Sequence, residues 1–192
     1  MRSRERAVNC FCKWILPTCA AIVLVGLPGS TAAQHKYVGV AKCRVCHMNA
    51  KLGGDNYNAW KASPHARAYE TLASEKAKAT AKELKIADPQ TSERCVKCHV
   101  TAYGVDAALV GPTVKNEDGI GCERCHGPGS DYQSLEVMRD RKAAVAKGLL
   151  IPDEKLCRGC HNEESPFYKP FDYKTFVEKI AHPKSGAKPT KQ

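Results

Sequence analysis

The chain has 192 residues, with 30 basic and 20 acidic side chains and a formal net charge of +10. This length fits one domain. Aromatic residues make up only 7% of the sequence, and large aliphatic residues are sparse while lysine and alanine are abundant. This composition argues against a core built from apolar side chains alone.

Residues 1–33 have the pattern of a secretory signal peptide. Basic side chains come first, an apolar run from 15 to 27 follows, and small residues end the segment at Ala33. Cleavage there would leave residues 34–192 as one domain, with a flexible tail at 183–192. The alternative is an uncleaved membrane anchor, but the apolar run is shorter than the roughly 20 residues of a spanning helix. Membrane contact is therefore expected only through an uncleaved signal.

Four Cys-x-x-Cys-His segments, beginning at residues 43, 95, 122 and 157, dominate the rest of the chain. In c-type haem attachment the two cysteines bond to the porphyrin, and the histidine binds the iron. The three cysteines outside these motifs all fall in the signal peptide, which argues against a disulfide framework. The motifs predict four covalently bound haem c groups. The predicted attachment residues are Cys43, Cys46, Cys95, Cys98, Cys122, Cys125, Cys157 and Cys160, and the predicted proximal iron ligands are His47, His99, His126 and His161.

The predicted fold is mainly α with extensive irregular loops, and the haems themselves form the core. Residues 65–86 predict the clearest helix, because Ser63 is a good N-cap and Pro64 suits the first helical position. Further helices are expected over 131–147 and 172–181. The motif intervals are unequal, so an array of one repeated unit is not expected.

Three histidines remain for the opposite faces of four irons, so at least one haem lacks a distal histidine. His65, at a helix start, and His182, at a helix end, are the predicted distal ligands. His35, close to the new N-terminus, and the thioether of Met138 are further candidates. Each of the four also has a plain structural explanation, as a surface, core or terminal residue.

Electron transfer between redox partner proteins, an exported oxidoreductase or other cytochromes, is the predicted function. Haem is joined to such motifs outside the cytoplasm, so the periplasm is the predicted compartment. The lysines are expected to offset haem propionates and to form a docking face, and nucleic acid is not an expected partner.

Two other functional classes are alternatives to an electron carrier. The first is a haem enzyme, or nitrogen oxide reductase, that acts at an open iron. The sequence nominates no catalytic residues for it and contains no Cys-x-x-Cys-Lys motif. The second is a zinc-ribbon module, which would treat the four motif histidines as accidents.

The chain resembles the tetrahaem cytochrome c-554 family. The resemblance is carried by residues 42–47, 60–68, 110–129, 157–161 and 165–166, and by the helix that ends at His182. It implies three haems with two histidine ligands each and one five-coordinate haem. His65 would then bind the iron of the fourth motif and His182 that of the third, and the second haem would be five-coordinate.

The sequence departs from this family at the first haem. The resemblance implies a histidine just beyond the third motif, where this chain has Glu136, and Met138 stands two positions further along. The first haem is therefore expected to bind Met138, to bind His35 or to stay open. A methionine ligand would raise its potential relative to haems with two histidine ligands.

Overall fold

Short helices joined by irregular loops form the part of the chain that the structure describes. The computed structural model describes residues 34–49, 51–52 and 54–182. The predicted signal peptide and the tail at 183–192 lie outside these residues. The α-helices are α1 (Val40–His47), α2 (Asn56–Ala62), α3 (Ala68–Thr71), α4 (Glu75–Glu83), α5 (Glu93–Val96), α6 (Cys122–His126), α7 (Leu135–Met138), α8 (Arg141–Ala146), α9 (Glu154–Arg158) and α10 (Tyr173–Ile180).

Three short 3-10 helices, Pro64–Arg67, Ala107–Leu109 and Asn116–Asp118, complete the helical content of these residues. Within the same residues, β pairing is confined to an isolated bridge between Tyr37 and Val110. The mainly α prediction is confirmed. No helix in the described part of the chain is both long and apolar enough to cross a membrane.

The predicted helix over 65–86 was wrong in its extent. The segment begins as a 3-10 turn, continues in α3, and restarts at α4. The Ser74 hydroxyl accepts a hydrogen bond from the Ala77 N–H, so it caps a new helix where the prediction continued the old one. At the far end, Lys85 adopts a positive φ of 56°, and α4 stops before it.

The predicted helix over 131–147 is also divided, into α7 and α8. Ser134 caps the first piece and Asp140 the second, and the Asp140 carboxylate accepts hydrogen bonds from the Lys142 and Ala143 N–H groups. Short polar side chains capped helix starts inside both long predictions. The prediction over 172–181 is confirmed by α10, which Asp172 caps.

A short segment, residues 36–39, lies between two loops and is hydrogen-bonded to both. Tyr37 exchanges backbone hydrogen bonds with Leu109 and Gly111 on one side. On the other side, Lys36 pairs with Ser130 through both its N–H and its carbonyl. The segment leads directly into α1, so these bonds fix where the first Cys-x-x-Cys-His motif begins.

The protein part of the core is small. No large side chain among the described residues is fully buried. The buried apolar side chains of these residues are Val40, Ala66, Leu72, Ala81, Val100, Ile120, Tyr132 and Ala144. A core of this size agrees with the sparse apolar composition, and the prediction that haems fill the remainder becomes part of the proposal below.

Candidate haem sites

All four Cys-x-x-Cys-His motifs lie on or at the end of short helices. The first is contained in α1 and the third in α6, while the second begins in α5 and the fourth in α9. All eight motif cysteines are half-buried free thiols. A single helical turn places both cysteines and the following histidine on neighbouring parts of one surface, as attachment to one porphyrin requires.

Three of the motif histidines have a polar neighbour at Nδ1. His99 Nδ1 lies 2.5 Å from the Ala68 carbonyl oxygen, and His126 Nδ1 lies 3.1 Å from that of Leu150. His47 Nδ1 lies 3.2 Å from the side-chain amide of Asn56. Because a carbonyl oxygen only accepts, His99 and His126 donate from Nδ1, which orients each ring and presents the lone pair of Nε2 to a metal. The Asn56 amide nitrogen is a donor, so His47 Nδ1 accepts from it.

His65 faces the histidine of the fourth motif. The ring centroids of His65 and His161 are 6.0 Å apart, with the rings inclined at 71°. Metal–imidazole bonds of about 2 Å and about 1 Å from nitrogen to ring centre would place two axial imidazoles about 6 Å apart. Burial, and then the nearby His161, lower the pKa of His65, which favours the neutral form that binds a metal.

The segment before the third motif positions His65. The Ile120 N–H donates to the His65 carbonyl oxygen at 2.9 Å. Gly119, with a φ of +59°, allows this approach, because a Cβ there would lie 2.5 Å from the same oxygen. The Pro64–Arg67 turn therefore depends on a loop more than 50 residues further along the chain.

His182 faces the histidine of the third motif. Their ring centroids are 5.8 Å apart, with an interplanar angle of 47°. Burial lowers the pKa of both His126 and His182, and each also lies in the electrostatic field of His47. The predicted pairings of His65 with the fourth motif and of His182 with the third are thus adjacent in the structure, and iron ligation by them stays a prediction.

The cysteines of different motifs also meet. Cys43 of the first motif and Cys122 of the third lie near enough for their thiols to interact, and this interaction raises the pKa of Cys43 and lowers that of Cys122. Cys98 and Cys160 do the same between the second and fourth motifs.

Cys125 of the third motif lies in the field of Cys157 of the fourth. Arg124 of the third motif donates to the Cys160 sulfur of the fourth and to the Lys97 carbonyl of the second, so the third motif contacts both of them.

A cavity of about 270 Å³ opens beside the second motif. Cys95, Cys98 and His99 form part of its wall, and α4 and residues 164–167 form much of the remainder. Among the described residues that line this cavity, His99 is the only histidine. Within the part of the chain that the structure describes, the second motif thus has no facing histidine like those of the third and fourth motifs.

The two candidates for the first motif occupy different environments. His35 Nδ1 lies 3.0 Å from the Asp131 carboxylate, and the opposite edge of its ring packs on Gly148. Met138 is the half-buried last residue of α7. The distal ligand of the first haem stays a prediction.

These residues fit c-type haem. The cysteines are free for thioether bonds, and the carbonyl partners of His99 and His126 leave Nε2 available on both rings. Two histidine pairs have the separation that one iron requires. The fold therefore brings together the two pairs of facing histidines, although the partners in each pair lie far apart in the sequence.

Comparison with known proteins agrees with this chemistry. A family model described as cytochrome c554 and c-prime matches residues 42–127. Cytochrome c-554 of Nitrosomonas europaea is 31% identical over 178 residues, which cover 79% of this chain and 72% of that protein. The chain belongs to the cytochrome c-554 family. It is thus a c-type cytochrome, an electron carrier with covalently bound haem c. No solved structure matches it.

Two positioning features were not predicted from the sequence. One is the contact of Ile120 with His65, and the other is Glu123, a buried carboxylate inside the third motif. An acidic residue between two haem cysteines, followed by the Gly-Pro-Gly at 127–129, was visible in this cytochrome's sequence. Its three backbone partners could not be found without the fold.

Proposed function

We propose that the protein is an exported tetrahaem c-type cytochrome that shuttles electrons between redox partners in the periplasm. The observation that carries this proposal is the two pairs of facing histidines, with ring centroids 6.0 Å apart for His65 with His161 and 5.8 Å apart for His126 with His182. A zinc ribbon would need two cysteine pairs for each metal and gives no reason for facing histidines.

The chain's own residues would hold four haems through the eight motif cysteines and four motif histidines. Each bound haem would supply a one-electron centre. His65 and His182 would close two of these centres by occupying their distal positions, which limits access for small ligands. The contacts between motifs would bring neighbouring centres close, so the four haems would form one connected group.

Export and redox partners are part of the same proposal. The signal-like pattern at 1–33 supports export, and attachment of haem to such motifs occurs outside the cytoplasm. The many lysines support docking of an acidic face of an exported oxidoreductase or of another cytochrome. Such attraction weakens as salt screens the charges.

Expression in a Gram-negative host with c-type maturation proteins tests the proposal. The periplasmic protein should have an intact mass equal to the chain from residue 34 plus four haems. Mixed rapidly with a reduced and then an oxidised cytochrome, it should gain and lose four electrons. A fully matured sample with fewer haems, or one that exchanges no electrons, would refute the tetrahaem carrier.

A second candidate function is binding or reduction of a small ligand, such as a nitrogen oxide, at the second motif. The cavity beside His99, with no second histidine among its described lining residues, favours it. An iron bound there by His99 alone would keep one position open. The prediction is that the reduced tetrahaem protein binds carbon monoxide at the second haem.

Two substitutions on α4 test this cavity. Ala77 lines the cavity, whereas Ala79 lies on the exposed face of the same helix. Ala77→Phe should reduce the carbon monoxide association rate at least about tenfold by filling the space, while Ala79→Phe should leave it unchanged. Equal rates in both variants would place the open iron elsewhere.

A further inference from the structure

Glu123 is a carboxylate buried inside the third motif, with only 2% of the residue exposed. Its Oε1 accepts hydrogen bonds from the Val38 and Gly129 N–H groups, each at 2.7 Å. Its Oε2 accepts one from the Gly39 N–H, also at 2.7 Å. An ionised carboxylate is an acceptor only, and three N–H donors are what a buried anion requires. Val38, Gly39, Glu123 and Gly129 are called the Glu123 cluster below.

The cluster ties the first haem motif to the third. Gly39 is the N-cap of α1, which carries Cys43, while Glu123 lies in α6 next to Cys122. The Cys43 and Cys122 thiols are near enough to shift each other's pKa beside this cluster. The carboxylate therefore fixes the start of one attachment helix against the body of the other.

The packing leaves little freedom for this arrangement. A Cβ on Gly129 would lie 2.9 Å from a Val38 methyl and 3.1 Å from Glu123 Oε1. A Cβ on Gly39 would overlap the Thr113 carbonyl. Neither glycine has room for a side chain. The backbone at both positions can therefore approach closely enough for its N–H groups to reach the carboxylate.

The charge of Glu123 is not matched by a nearby cation in the described ion pairs, none of which includes it. The neighbouring Arg124 points instead to the Lys97 carbonyl and the Cys160 sulfur. Glu123 acts electrostatically on both Cys43 and Cys122. A buried anion favours the more positive, oxidised state of nearby redox centres, since the protein interior screens it poorly.

We propose that Glu123 is a positioning residue that holds the first and third haems in register and, as a buried anion, lowers the reduction potentials of these two haems relative to the second and fourth. This inference rests on the proposed tetrahaem carrier.

Redox titration of the holoprotein, followed by electron paramagnetic resonance, tests the role of Glu123. In Glu123→Gln, the ratio of reduced to oxidised iron at a fixed potential should rise about tenfold for the first and third haems, a shift of about 59 mV. Glu123→Asp retains the negative charge, so the potentials of the first and third haems should stay close to those of the unmodified protein. Glu93→Gln is the matched control, because Glu93 is exposed and lies two residues before Cys95; it should leave all four potentials unchanged.

The third and fourth haems are assigned by the low-spin signals that disappear in His182→Ala and His65→Ala. A folded Glu123→Gln protein with four haems and unmoved potentials would overturn this inference and leave the carrier intact. Equal shifts at all four haems, or in Glu93→Gln, would also overturn it. Fewer than four haems in the unmodified protein would instead refute the proposed function.

A measurement on the unmodified protein covers the case in which no Glu123 variant folds. Reduction of the first and third haems should perturb the infrared band of a buried carboxylate in the redox difference spectrum. The titration of this band should follow those two haems. No such band, or one that follows the second and fourth haems, would overturn the inference.

Discussion

The two places where haem motifs meet are built differently. In the Glu123 cluster, the Val38 and Gly39 N–H groups join the start of the first motif to the third motif through one carboxylate, which also accepts from the Gly129 N–H. The second and fourth motifs meet at Cys98 and Cys160, beside an open cavity of about 270 Å³. An ion pair between Lys97 and Glu164 crosses between them at the surface.

This difference shows that identical local motifs acquire their properties from the packing around them. Buried, fully bonded polar groups fix geometry because breaking them exposes an unsatisfied charge to the protein interior. Exposed ion pairs fix little, since water and salt compete for both partners. The contact between the first and third motifs is thus suited to holding two haems at a fixed separation. The contact between the second and fourth motifs is suited to a site that a small ligand can enter.

The largest expected effect comes from disrupting the Glu123 cluster through Gly39. Gly39→Ala adds a Cβ that overlaps the Thr113 carbonyl, at a φ of +82° that side chains rarely adopt. The free energy of unfolding should fall by about 3 kcal/mol, which combines the cost of overpacking with the cost of placing alanine in the left-handed backbone region. Chemical denaturation of the holoprotein, followed by circular dichroism, measures it.

Gly104→Ala provides the control for that experiment. Gly104 also has a positive φ, +72°, but no atom lies near the position of its Cβ. The free energy of unfolding of Gly104→Ala should fall by about 1 kcal/mol, from the backbone conformation alone. Equal losses in the two variants would show that the cluster is not tightly packed.

The contrast between these regions also marks what the sequence could predict. The haem residues follow a fixed covalent spacing, so all four motifs could be located without a structure. The Glu123 cluster could not, because Val38 lies 85 residues before its acceptor. Long-range hydrogen bonds of this kind leave no periodic signal in the chain.

Helix extent was predicted less well than helix location, for a local reason. Alanine-rich sequence favours continuous helix, but Ser74 and Asp140 have side chains that can cap a new start. Their hydrogen bonds to Ala77 and to Lys142 divided both long predictions. A terminal cap and a polar residue inside a helix look alike in sequence, so these divisions could not be predicted from the residue types alone.

Removing a facing histidine should open one iron without disturbing the rest. His65→Ala should convert the fourth haem from low-spin to high-spin, and His182→Ala the third, because each loses a strong axial ligand. Electron paramagnetic resonance counts the two spin states, and the haem mass should stay at four. If His65→Ala left the spectrum unchanged, His65 would be only a neighbour of His161.

A smaller effect is expected from Met138, the candidate ligand of the first haem. If its sulfur binds that iron, the oxidised protein should show a weak near-infrared charge-transfer band. Met138→Leu should remove this band and open one iron, while Met138→His should remove it and lower one potential. Met48→Leu is the control, because Met48 directly follows His47 and is exposed.

A spectrum without the band, together with unchanged spin states in Met138→Leu, would make Met138 a packing residue. His35 would then be the remaining protein candidate for the first iron. His35→Ala would distinguish a histidine ligand from an open position, because only a ligand's loss changes the spin state.

The smallest effect is expected at the surface ion pair between the second and fourth motifs. The Glu164 and Lys97 side chains are 68% and 39% exposed. Their hydrogen bond lowers the pKa of Glu164 and raises that of Lys97, but a pair this exposed is screened by water. Glu164→Gln should leave the denaturation midpoint of the holoprotein unchanged within error, in low and in high salt.

A loss of unfolding free energy comparable to that of Gly39→Ala, and larger in low salt, would contradict this expectation. It would mean that this ion pair fixes the second and fourth motifs as firmly as Glu123 fixes the first and third. The two contacts would then differ in solvent exposure but not in rigidity, and the cavity beside His99 would be a fixed pocket with a charged rim.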